Sequence, residues 1–209
     1  MEGDLMAEYL CKCCGAPLDV KSGLTVCRCV HCDVLQSVPR LDFDEKAILW
    51  ERADNLRRAG EYDRAEELYR ELLKLDDTDS EIYWCIMLCR YGIEYVEERG
   101  SHKRVPTINR FNYKSVIEDE DYRAAVRIAD GDRRRIYILQ AKELEELRQS
   151  VLAVSQTEQP YDIFICYKET DQSGRRTEDS VLAAGLYRSL SADGCRVFFS
   201  RVTLEDKTG

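Results

Sequence analysis

The sequence predicts a multidomain chain in three parts: a small ribbon built around a metal, an all-α middle, and the start of an α/β parallel sheet. Three observations carry this. Six of the ten cysteines fall between Cys11 and Cys32. From Lys46 onward, apolar residues recur at helical spacing. From Tyr161 the pattern changes again, to a short apolar run, an amphipathic stretch and a second apolar run. The expected boundaries are a ribbon over residues 1–40, a helical region over 41–155, a linker over 156–160 and the sheet from 161 to 209.

Composition narrows the function classes. With 44% hydrophobic and 34% charged residues, the 209-residue chain reads as globular rather than disordered. Its net charge is −9, and seven of those nine excess negative charges lie between residues 41 and 160. An acidic middle argues against a nucleic-acid partner, because affinity for a duplex comes largely from neutralising phosphates. The longest uninterrupted apolar run, Ile82 to Cys89, has eight residues, well short of the roughly 20 that span a bilayer. Met1-Glu2-Gly3-Asp4 lacks the basic start of a secretory signal. The expected setting is cytoplasmic, with no membrane partner.

The ribbon comes first. Cys11-Lys12-Cys13-Cys14-Gly15 and Cys29-Val30-His31-Cys32-Asp33 each carry two cysteines at a C-x2-C spacing, with 14 residues between the pairs. A tight turn lets two such thiolates bind one ion, and two turns complete a tetrahedral site that suits Zn2+. Cys11, Cys14, Cys29 and Cys32 are the expected ligands because they give two equivalent knuckles; Cys13, Cys27 and His31 remain alternatives. Four thiolates close the coordination sphere, so the zinc is structural rather than catalytic. A segment of about 40 residues needs such a metal to fold. Ala16 to Val20 and Leu24 to Val26 are expected to be its strands.

In the middle, Leu49, Ala53 and Leu56 share one helical face. Ala59-Gly60-Glu61-Tyr62-Asp63 forms a turn, and Ala65, Leu68, Tyr69, Leu72 and Leu75 line a second helix. Trp84 follows Trp50 by 34 residues. This resembles the tetratricopeptide (TPR) repeat, with Gly60, Tyr62, Ala65 and Tyr69 where that repeat places its turn and packing residues. Asp77 departs from the pattern, standing where the repeat usually ends in proline. The resemblance implies protein partners bound through the helices. Ile82 to Cys89 is apolar all round and reads as a buried helix. Gly92 to Asn112 reads as a poorly patterned connection. Helices are expected over Asp119 to Ala129 and from Arg133 to about Ser155, the latter with a stripe of Ile136, Gln140, Leu144, Leu147, Val151 and Val154. Arg133-Arg134-Arg135 reads as a solvated helix start.

After the Gln156 to Pro160 linker, Tyr161 to Tyr167 has the look of a strand in a parallel sheet buried on both faces. Glu178 to Ala192 reads as an amphipathic helix carrying Val181, Leu182, Leu186 and Leu190, started by Thr177 and stopped by Asp193-Gly194. Cys195 to Phe199 is the second strand. Lys168, Arg175 and Arg176 follow the first strand, and Ser200 and Arg201 follow the second. Ligands of open parallel sheets bind beyond the carboxyl ends of strands, so these five are candidates for cradling a pyrophosphate.

Tyr161-Asp162-Ile163-Phe164-Ile165-Cys166-Tyr167 resembles the first conserved box of Toll/interleukin-1 receptor (TIR) domains. Phe198-Phe199, Arg201, Glu205-Asp206 and Gly209 resemble that family's second strand and its BB loop. The order of zinc ribbon, TPR-like helices and TIR start is similar to bacterial TIR proteins. The resemblance implies a flavodoxin-like sheet, signalling or defence through association with itself or other TIR domains, and NAD+ as a substrate in some members. It places the catalytic glutamate on a later helix beyond Gly209, so no residue here is assigned to catalysis and the sheet is expected to be incomplete. The alternative is a non-enzymatic scaffold that uses the helices and the BB loop.

Overall fold

A computed structural model describes residues 9–99, 103–157 and 159–200. The chain divides into two compact units, residues 1–151 and 152–209. A helical block, small strand pairs and a cysteine cluster make up a multidomain layout.

In the first unit, antiparallel strands β1 (Val26–Arg28) and β2 (Leu35–Ser37) flank the second cysteine pair. The expected strands at 16–20 and 24–26 do not form as such. Residues 18–25 run through turns and irregular backbone, and only Leu10 and Pro17 bridge across the first pair. The reason is local: each knuckle spends its backbone groups on its own turn, so the flanking residues pair across that turn.

Helices α1 (Asp44–Arg58) and α2 (Tyr62–Leu75) form the helical hairpin, and α3 (Ser80–Arg90) packs on α2. Ala53 and Ala65, both fully buried, let α1 and α2 approach, and Trp50 meets Tyr69 edge-on at 5.3 Å. Asp79 caps α3 by accepting from the Glu81 N–H at 3.2 Å. Ile82 through Cys89 is buried around almost its whole circumference, as its sequence requires. Trp84 stacks on Tyr137 at 4.8 Å, in the cluster that joins α3 to the later helices.

The stretch from Gly92 to Asn112 is not a bare connection. It contains an antiparallel hairpin, β3 (Ile93–Glu97) and β4 (Arg104–Ile108). Bonds from Glu98 N–H to Lys103 O and from Asn109 N–H to Gly92 O fix the alternation. They put the Tyr95–Pro106 pair at a non-hydrogen-bonded position, so the missing proline N–H breaks no rung of the ladder.

Helix α4 (Glu120–Ile128) is capped by Asp119, and α5 runs over Gly131–Thr157. The buried stripe of α5 is Arg133, Ile136, Tyr137, Ala141, Leu144 and Arg148, whereas Val151 and Val154 are exposed. Two arginines thus occupy positions that an apolar pattern does not flag. Arg133 is no solvated helix start: it is 4% exposed and paired with Asp79 at 3.3 Å. No helix among the described residues is long and apolar enough to cross a membrane.

In the second unit, β5 (Ile163–Ile165) pairs in parallel with β6 (Val197–Phe199), and α6 (Glu178–Ala192) connects them. The strand–helix–strand order matches the sequence expectation, but the strands are only three residues long and Phe164 is 65% exposed. Helix α6 turns Ser180 and Ala183 inward and stacks Tyr187 on Phe199, leaving Val181, Leu182 and Leu186 exposed. The apolar residues of the amphipathic pattern therefore lie largely on an outer face of this unit.

Candidate metal centre

The two knuckles are built alike. Cys11 N–H donates to Ala16 O at 2.8 Å, and Cys29 N–H donates to Val34 O at 3.0 Å. Gly15 N–H returns to Cys11 O at 2.8 Å, and Asp33 N–H returns to Cys29 O at 2.9 Å. Each turn closes through a left-handed residue, Gly15 at φ +73° and Asp33 at φ +58°. Asp33 is one of the few residue types that adopt this conformation without glycine. The Arg28 guanidinium holds it by donating to its carbonyl at 2.7 Å.

These matched turns bring together the sulfurs of Cys11, Cys14, Cys29 and Cys32, all within 4.8 Å of one another. Cys11 and Cys32 are 3.7 Å apart, as are Cys14 and Cys29. A tetrahedron with metal–sulfur bonds of about 2.3 Å has edges of about 3.8 Å. The donor set and its spacing therefore fit a tetrahedral metal such as zinc. Among the described residues this is the one group of His, Cys, Asp and Glu side chains so arranged.

The alternative ligands fall outside it. Cys13 and His31 occupy the same third position of their knuckles. Cys13 is buried beside Cys11, while His31 is exposed. Cys27 donates instead to Asp19 O at 3.6 Å. In the metal-free thiols, the hydrogen bond from Cys13 is the largest influence holding Cys11 down, to about 3. The Cys14 N–H and the Gln36 amide assist, against the opposing effect of burial. The same bond to Cys11, with burial, pushes Cys13 up. Burial pushes Cys14 and Cys32 up. Binding of a metal by these thiols releases protons.

Gln36, 1% exposed, was not among the residues that sequence pattern singled out. Its Nε2 donates to Cys11 Sγ at 3.0 Å and its Oε1 accepts from Lys12 N–H at 2.9 Å. A lone glutamine in a short strand carries no sequence signal. Lys12 reaches into the helical block, where its ammonium pairs with Glu81 and donates to Ser37 Oγ at 2.9 Å. The charges of Lys12 and Arg133 hold Glu81 below its usual range even though burial acts in the opposite direction.

A groove of about 660 Å3 lies beside the second knuckle, bounded by the β3–β4 hairpin and α5. Leu35, Tyr95, Pro106, Ile136 and Leu139 give it an apolar lining. The buried Oε1 of Gln140, another lining residue, has no hydrogen-bond partner.

In the second unit, the parallel register puts the residues after Ile165 and Ser200 after Phe199 at the same end of the strand pair. Lys168, Arg175 and Arg176 are exposed there, in a loop closed by the Thr170–Arg176 bridge. Thr177 does not cap α6 with its side chain; its hydroxyl donates to Lys168 O. Arg201, and Glu205 and Asp206 of the expected BB loop, lie outside the described residues.

The tetratricopeptide repeat family matches residues 46–90, which cover most of α1 and all of α2 and α3. That match is the TPR-like helical unit. No curated protein and no solved structure gives a significant match to the chain.

Proposed function

We propose that the chain is a protein–protein interaction scaffold in which a structural zinc, held by Cys11, Cys14, Cys29 and Cys32, braces a TPR-like helical block that receives protein partners. The observation that carries this is the tetratricopeptide match over the α1–α3 hairpin array, seated against a four-thiol ribbon. About three stacked repeats make a stable solenoid. Here the ribbon, the hairpin and α5 supply the packing that further repeats would give. The apolar groove between those three elements is the contact surface this reading favours. The zinc-loaded chain, used as bait in a lysate of its own source, is expected to retain a defined protein that Leu139→Glu loses. Leu139 is 67% exposed, so that change leaves the fold in place. Retention of no protein, or equal retention by the variant, contradicts the reading.

A second reading is favoured by the parallel β5–α6–β6 unit together with the Tyr161–Tyr167 box. It is a TIR-type signalling or defence role in the cytoplasm, through association with itself or other TIR domains. NAD+ would be a substrate once the later glutamate-bearing helix is present. Lys168, Arg175, Arg176, Ser200 and Arg201 are then its pyrophosphate contacts. Incubating a chain that carries that helix with NAD+ is expected to release nicotinamide, and no release under conditions that drive self-assembly contradicts it.

A further inference from the structure

Lys12 lies between two thiols of the first knuckle, and all three of its polar groups are engaged. Its N–H donates to Gln36, its carbonyl accepts from Arg57 Nη2 of α1 at 3.2 Å, and its ammonium pairs with Glu81 at the start of α3. Glu81 is fully buried and also accepts from Tyr137 OH of α5 at 2.6 Å. Gln36 closes the circuit by donating to Cys11 Sγ at 3.0 Å. The apolar cluster around the thiols is separate from the two helical cores and shares only Tyr95 with them. The tie between ribbon and helices therefore runs through polar groups: this set at the first knuckle, and beside it Arg133 of α5, which donates to Thr25 O at 3.4 Å and to Val38 O, and the Arg40 N–H, which donates to Asp79 at 2.8 Å.

We propose that Lys12 and Gln36 are positioning residues of the metal centre and that, through Glu81, they couple its occupancy to the order of α1 and α3. This rests on the four thiols being a metal centre. The metal fixes the Cys11–Cys14 turn, and the turn fixes the directions of the Lys12 carbonyl and side chain. If the turn relaxes, the fully buried Glu81 loses its paired cation, a costly state for a carboxylate. Linkage makes the effect reciprocal: whatever the metal does for the helices, the helical contacts do for metal affinity.

The test uses the full chain titrated with Co2+. The thiolate-to-metal charge-transfer band reports binding, and the far-ultraviolet melt reports the helices. In the parent, Co2+ is expected to raise the helical melting temperature. In the double variant Lys12→Met/Glu81→Leu, apolar groups replace the buried pair, so no lone charge is left behind. The band is expected to persist while the metal-induced rise falls to less than half. A rise equal to the parent's overturns the coupling. Gln36→Leu keeps the Lys12–Glu81 pair and removes the bonds to Cys11 Sγ and from the Lys12 N–H. It is expected to weaken Co2+ binding roughly tenfold and to shift the band. Unchanged affinity with an unchanged band overturns the role of Gln36. Absence of any band in the parent refutes the metal centre itself, a different failure from either of these.

Discussion

Gly15 and Asp33 hold matching positions in the two knuckles, and both adopt left-handed backbone. Space is not the constraint at Gly15, where an added β-carbon meets nothing within 4 Å. Gly15→Ala is therefore expected to cost about 1 kcal/mol through backbone strain alone, read as a lower melting temperature of the zinc-saturated chain. Asp33→Gly is expected to change stability by less than about 0.5 kcal/mol, since it relieves strain while losing an exposed ion pair. The arginine triplet separates in the same way. Arg133 is buried against Asp79, while Arg135 is 85% exposed beside Asp132. Arg133→Ala is expected to cost about 2 kcal/mol, because Asp79 loses one buried cation while keeping Lys46 at 3.2 Å and the Thr25 and Val38 carbonyls lose their donor, and Arg135→Ala less than about 0.5 kcal/mol. Equal effects in a denaturant titration would contradict the burial. That Cys11, Cys14, Cys29 and Cys32 come together was legible from spacing alone. That Cys13 is buried outside the four-thiol group was not, because nothing in the sequence distinguishes its thiol from its neighbours'. Gln36, Lys12 and Arg133 were not legible either, since polar residues give no periodic signal when their partners are distant in sequence.

At the scale of elements, helices α1 to α3 were readable because their apolar spacing, the small residues at the crossing and the turn all agree. The β3–β4 hairpin was missed. Its strands do alternate, Ile93-Glu94-Tyr95-Val96-Glu97 against Arg104-Val105-Pro106-Thr107-Ile108, but Pro106 reads as a breaker until its register is known. Helix α5 was placed correctly, yet its buried face includes Arg148, tied to Glu145 at 2.8 Å and to Tyr113 O at 3.1 Å. Glu145 also accepts from Val116 N–H at 3.0 Å, joining α5 to the turn before α4. The Arg148 guanidinium is the first cause holding the Glu145 carboxyl down, from 4.5 to about 2. A depressed carboxylate stabilises the fold above its unfolded pKa, and that stability is lost as pH falls towards the folded value. The contribution of Glu145 is therefore expected to be complete above about pH 4.5 and to fade towards pH 2. Glu145→Gln should remove that part of the acid sensitivity, and an unchanged acid titration of stability would contradict the assignment.

For the whole molecule, the chain holds a first unit organised by thiols and helices and a second built on a parallel strand–helix–strand. The cysteine cluster and the TPR-like pattern gave the first unit's ingredients, but not the polar seam that joins them. In the second unit, order and parallel direction were legible from the change of pattern at Tyr161. Which face of α6 packs was not, because short strands leave room only for Ser180, Ala183 and Tyr187 beneath it. In the proposed scaffold, a metal on the four thiols holds the first unit together. Native mass spectrometry of the full chain, purified without chelator, tests it most directly. One zinc per chain, lost in Cys29→Ser/Cys32→Ser together with the cooperative melting of the helical block, is the predicted result. A chain that carries no zinc even after zinc is added, and melts with the same cooperativity, would contradict it.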